Sequence, residues 1–143
     1  TGSVMTWDYY TMNMMTGSGI GNCATILGWD DELVYSSIGF EIMTQEQANT
    51  ILTRIKNKDK DAFYFYYFPV GNYRFYVDTM VFEPKDTLLE GIGGDLTPHR
   101  GFNAVKTNRL FLVMIWDRRY GMTREANFEQ LCYVANYFMY EGW

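Results

Sequence analysis

The chain has 143 residues, a formal charge of −5 and a sequence pI of about 4.8, so a phosphate backbone would meet a repelling field. Its 48% apolar and 20% charged residues are those of a globular protein, and no apolar run reaches the roughly 18 residues of a membrane span. One histidine and two cysteines, Cys23 and Cys132, are too few for a structural zinc site, so neither a metal nor a cofactor is called for.

Residues 1–4, ahead of Met5, read as a cloning remnant with no leader after them, which leaves a single globular domain over 5–143 in a reducing, cytoplasmic setting with free thiols. The glycine cluster "TGSGIGN" at 16–22 misses the dinucleotide fingerprint, because Asn22 stands where the third glycine belongs. It reads as a flexible turn. Cys23 to Gly28 and Leu33 to Met43 are short, apolar and partly alternating, which predicts two strands joined by a turn at Asp30-Asp31.

A helix follows over about 45–57. Thr44 is placed to cap it with Gln47 reaching back as a capping box, and Ala48, Ile51, Leu52 and Ile55 form one apolar stripe. The basic stretch from Arg54 to Lys60 is interleaved with acid and, like Arg118-Arg119, too short to overcome the overall charge, so nucleic acid is not an expected partner.

The segment "AFYFYYFPVGNYRFYVDTMVF" predicts a hairpin about Gly71-Asn72, with Phe68 facing Phe75 and Tyr66 facing Val77. One face then carries Tyr64, Tyr66, Phe68, Phe75, Val77 and Val81 as core. The other carries Phe63, Phe65, Tyr67, Arg74, Tyr76, Asp78 and Met80. Next, "GIGGDLTPHRGF" at 91–102 reads as a long connection whose glycines suit close approach to a ligand. Leu110 to Trp116 is a continuous apolar run, hence a central strand. Thr123 caps a last helix to about Tyr140, with one stripe of Phe128, Leu131, Cys132, Ala135, Phe138 and Met139 and a second of Tyr133, Tyr137 and Tyr140.

The expected fold is α+β: a five- to six-stranded antiparallel or mixed sheet with two helices packed on it. Twelve tyrosines, ten phenylalanines, four tryptophans and nine methionines exceed what one core needs, and such residues are enriched where proteins hold partners. Phe63, Phe65, Tyr67, Arg74 and Tyr76 on the sheet and Tyr133, Tyr137 and Tyr140 on the helix are therefore the candidate partner surface, either covered by one another or left for self-association or a protein partner. The leading expectation is a non-catalytic cytoplasmic inhibitor, of the immunity or phage anti-defence type, acting through an acidic, aromatic surface. An alternative is a sponge for a small anionic, nucleotide-like ligand, held by Gly93, Gly94, His99 and Arg100. A second alternative is a thiol hydrolase with Cys23 as nucleophile, His99 as base and Asp117 as orienter.

Overall fold

The computed structural model describes residues 6–16, 22–83, 87–95 and 97–143. The turn expected over 16–22 and the first four residues lie largely outside that set. Seven strands form one antiparallel sheet in the order β2-β1-β7-β6-β5-β4-β3: β1 (Cys23–Gly28), β2 (Val34–Gly39), β3 (Phe68–Val70), β4 (Tyr73–Val81), β5 (Leu88–Gly93), β6 (Thr97–Lys106) and β7 (Leu110–Asp117). Four α-helices accompany it: α1 (Trp7–Tyr10), α2 (Gln45–Lys56), α3 (Lys60–Tyr66) and α4 (Arg124–Tyr140), with a π-helical turn over Thr11–Thr16. Among the described residues no helix is long and apolar enough to cross a membrane.

The class is as expected, but the sheet has seven strands rather than five or six, and four helices rather than two. Strand β7 explains why one sheet needs helices on both faces. Its alternate residues Phe111, Val113 and Ile115 join a core with α2 and α3, while Leu110, Leu112 and Met114 join a second core with α4 and the N-terminal π-turn. Every residue from Leu110 to Asp117 is buried, which is why the run is apolar without alternation.

Helix α2 has the predicted cap: the Thr44 hydroxyl accepts from the Gln47 amide, and the Gln47 side chain accepts from the Thr44 amide. Its predicted stripe of Ala48, Ile51, Leu52 and Ile55 is buried. On α4 the buried stripe is rotated from the expected one. Asn127, Leu131, Val134, Ala135 and Phe138 face inward, leaving Phe128 and Cys132 half-buried and Met139 exposed.

Two predicted elements are corrected. The aromatic run after Asp59 begins as helix α3, whose first turn is held by the Asp59 carboxylate accepting from the Ala62 amide. Only Phe68 to Val70 remains strand, so Phe68 pairs with Phe75 and Val70 with Tyr73 across the Gly71-Asn72 turn, whereas Tyr66 lies in the helix and pairs with nothing in the sheet. Phe63 and Phe65 therefore share no sheet face with Tyr76. Beyond Val77 a β-bulge at Asp78 shifts the register, so that Met80 and Phe82 rather than Val81 reach the α2–α3 core.

The second correction concerns 91–102, which is a hairpin and not a long connection. Its glycines serve close strand packing: a Cβ on Gly91 would lie 1.9 Å from the Tyr76 carbonyl oxygen, and one on Gly101 would lie 2.1 Å from the Trp116 ring.

Candidate functional site

The chain ends meet in a row of rings. Trp7 of α1 stacks on Tyr35 of β2 at 5.0 Å between centroids and takes the edge of Trp143 at 4.8 Å. Behind it Phe138 of α4 lies 5.7 Å from Trp7 and 5.0 Å from Tyr10, and Tyr10 continues the row to Tyr137 at 6.1 Å and Tyr9 at 5.5 Å. Tyr9 and Tyr137 remain 45% and 37% exposed, so the row is open to solvent at that end.

Polar contacts fix these rings. α1 is only four residues long and could not persist alone, but the Asp8 carboxylate accepts from the Ser36 hydroxyl at 2.5 Å and the Thr11 and Ser36 hydroxyls lie 2.7 Å apart, which fasten it to β2. At the other end the Trp143 carbonyl accepts from the Arg109 amide at 2.5 Å and the Thr107 hydroxyl at 2.9 Å, with the Arg109 guanidinium 4.7 Å over the indole. The Tyr35 hydroxyl donates to Asp31 at 2.7 Å, and burial together with that bond pushes its pKa up to about 12. It stays a neutral phenol.

Of the tyrosines expected on α4, Tyr137 enters this row, whereas Tyr133 and Tyr140 are 63% and 89% exposed. Trp7, Tyr10, Tyr35 and Trp143 were not candidates on sequence grounds. The available signal was the concentration of aromatic residues at both chain ends.

The residues expected to cradle an anion do not converge. Arg100 puts its Nε 3.1 Å from Asp117 and stacks its guanidinium 4.5 Å over Tyr73. His99, its neighbour on β6, alternates to the other face of the sheet, where its Nε2 is buried with no hydrogen-bond partner among the described residues. Gly93 accepts at its carbonyl from the Thr97 hydroxyl, closing the hairpin, and Gly94 turns beneath Tyr76.

The trio Cys23, His99 and Asp117 is not assembled either. Asp117 is fully buried and spends its carboxylate on Arg119 and Arg100, not on an imidazole. Burial raises its pKa, but the Arg119 hydrogen bonds and the two guanidinium charges outweigh that and leave it below the usual carboxylate value. Cys23 is 1% exposed, and burial pushes its thiol pKa up, the opposite of what a nucleophile needs.

The remaining candidates divide. Phe63 is buried in the core, and the side chain of Phe65 lies outside the described residues. Tyr67 and Tyr76 meet edge to face at 4.8 Å beside Arg74, near the start of β4. Between α4 and the sheet, Arg124 forms a bidentate pair with Asp78, and the Asn127 side chain donates to Asn103 and to the Met114 carbonyl.

The profilin family model matches residues 5–142. Among solved structures, Acanthamoeba castellanii profilin IB superposes with a TM-score of 0.78 at 20% identity, over 96% of this chain and 99% of that one. Profilin IA of the same organism gives 0.76 at 19% identity over the same shares. Mouse profilin IIa in complex with a double repeat from the FH1 domain of mDia1 gives 0.68 at 17% identity, over 97% of this chain and 100% of that one. No curated protein sequence matches. Profilins are non-enzymatic actin-binding proteins, so the match agrees with a non-catalytic protein and overturns the immunity and phage anti-defence readings, the anionic sponge and the thiol hydrolase.

Proposed function

Because the chain belongs to the profilin family, we propose that it is a cytoplasmic actin-binding adaptor that captures proline-rich segments in the aromatic row between α1 and α4. The observation that carries the peptide half of this reading is the row itself: Trp7, Tyr10, Tyr35, Tyr137 and Trp143, drawn from both chain ends and β2 and locked in place. Proline-rich chains adopt the polyproline II helix without help. They lose little entropy on docking and lay their rings on aromatic faces, while tyrosine hydroxyls and indole N–H groups at the rim donate to the exposed peptide carbonyls. An FH1 repeat, the ligand in the mouse complex, is the first peptide to try. The actin half rests on family membership.

The test is a titration with an FH1 repeat and with a proline decamer, followed by tryptophan fluorescence, which reports directly because Trp7 and Trp143 lie in the row. Saturable binding that falls at least about tenfold in Tyr10→Ala is expected, since one ring in such a groove contributes on the order of 1–2 kcal/mol. A flat fluorescence titration, or a Tyr10→Ala variant that binds as well as the wild type, would refute the groove. Comigration with monomeric actin on a sizing column tests the other partner, and elution as two separate species at micromolar concentrations would refute it.

A further inference from the structure

A second concavity, of about 500 Å³, lies between the start of β4 and the β5–β6 turn and shares no residue with the aromatic row. Tyr67, Tyr73, Arg74, Tyr76, Gly93 and Asp95 line it. Its size is that of a small-ligand pocket.

The backbone at Tyr67 is strained to form it. Tyr67 closes α3 at φ 60 and ψ 177, a region that non-glycine residues avoid and that proteins retain chiefly where a side chain must be aimed. Its amide donates to the Phe63 carbonyl at 3.1 Å and its carbonyl accepts from Arg54 at 3.1 Å, so the conformation is held from both sides. The result is a Tyr67 ring standing at 84° to Tyr76, with centroids 4.8 Å apart. Two phenol walls thus meet at nearly a right angle. Gly94, at φ +71, lets the hairpin close on Tyr76, where a Cβ would come within 2.2 Å of the ring.

The chemistry of these walls favours a cation. Phenol faces carry negative potential, and Tyr73 already holds one cation, the Arg100 guanidinium at 4.5 Å from its centroid. A hydrogen bond with Tyr67, with the nearby Asp95 charge contributing less, raises the Tyr76 pKa, so the Tyr76 phenol stays neutral; one ring's edge covers a face of the other, and the remaining faces look into the cavity. Asp95 supplies a carboxylate at the rim. Arg74 is exposed and forms no ion pair among the described residues, so its charge is spent on solvent.

We propose that this cavity binds an N-alkylated ammonium group, whose diffuse charge and methyl surface suit orthogonal phenol walls closed by a carboxylate. Two sources share that chemistry: a methylated lysine side chain on a protein, and a free choline-type amine. The experiment is an amide and ring NMR titration of the whole chain with tetramethylammonium, choline, and a peptide bearing trimethyl-lysine beside its unmethylated twin. Saturable shifts at Gly93, Gly94 and the Tyr67 and Tyr76 rings are expected, weakened about tenfold in Tyr76→Ala and several-fold in Asp95→Asn, and tightened in Arg74→Ala. Tyr76 is half exposed, so its variant should keep the amide spectrum of the fold. A trimethyl-lysine peptide that binds more tightly than choline assigns the site to protein side chains, and the reverse assigns it to a free amine. Absence of a saturable shift, shifts that persist in Tyr76→Ala, or binding lost in Arg74→Ala would each overturn the proposal, the last by marking an anion site. None of these results depends on peptide binding in the aromatic row.

Discussion

Replacing Asp117 by asparagine keeps the shape of the side chain and removes its charge. The new carboxamide retains an oxygen for the Arg119 amide, which donates to Asp117 Oδ1 at 2.9 Å in the wild type. What disappears is the counter-charge of Arg100, whose side chain is only 15% exposed. Stripping one partner from a buried pair costs about 3–5 kcal/mol, and the retained hydrogen bond together with the residual exposure of Arg100 brings the expected loss to about 2–3 kcal/mol at neutral pH. Arg119, 48% exposed, adds little. For a domain of this size that is a fall of roughly 10 °C in Tm.

The pH dependence sharpens the test. Asp117 titrates below its ordinary value in the folded chain, so its contribution is complete above the unfolded pKa of about 3.9 and is lost as pH falls through the lower folded value. Urea unfolding followed by tryptophan fluorescence should therefore show a gap between wild type and Asp117→Asn that is constant from pH 8 to about 5 and closes on acidification below about 4. A gap under about 0.5 kcal/mol at pH 7, or one undiminished in acid, would refute the ion-pair account.

Thr44→Ala should cost about 1 kcal/mol by removing the capping box of α2, with Thr44→Ser restoring most of it in the same urea assay. Gly91→Ala places a methyl 1.9 Å from the Tyr76 carbonyl oxygen and 2.8 Å from the Phe102 ring, so it should lose about 2 kcal/mol or more, and unchanged stability would contradict the observed β4–β5 spacing. In alkylation mapped by mass spectrometry, half-buried Cys132 should react first and Cys23 only on unfolding, both more slowly at pH 7 than a free thiol because burial raises both pKa values. Earlier labelling of Cys23 would show that its strand opens in the native state.

Local grammar made α2, α4 and β7 readable. Thr44 with Gln47, Thr123 ahead of an apolar periodicity, and the unbroken run from Leu110 each state their structure within a few residues. Helix α3 was hidden because every residue from Phe63 to Phe68 is aromatic, so helical and strand periods fit equally well, and the Asp59 cap decided the matter. The β5–β6 hairpin was hidden because Gly91, Gly93 and Gly101 resemble loop glycines until the carbonyl of Tyr76 and the ring of Trp116 are seen where their side chains would be. The aromatic row was beyond any local reading. Trp7 meets Trp143 only once the sheet has formed, and no window of sequence holds both.

The pairing of β1 with β7, Cys23 opposite Ile115, also constrains how the molecule is made. A nascent chain still lacking β7 offers β1 and β2 as a lone hairpin, marginal in water, and β6 to β3 as a fragment with an unpaired edge. The central seam closes only once β7 has left the ribosome, so the six earlier strands wait for it. Closing such a distant contact carries a large loop entropy and slows folding. Until then the apolar edge of β6 is open to other chains, and the interval before the seam closes is when this protein is most exposed to aggregation.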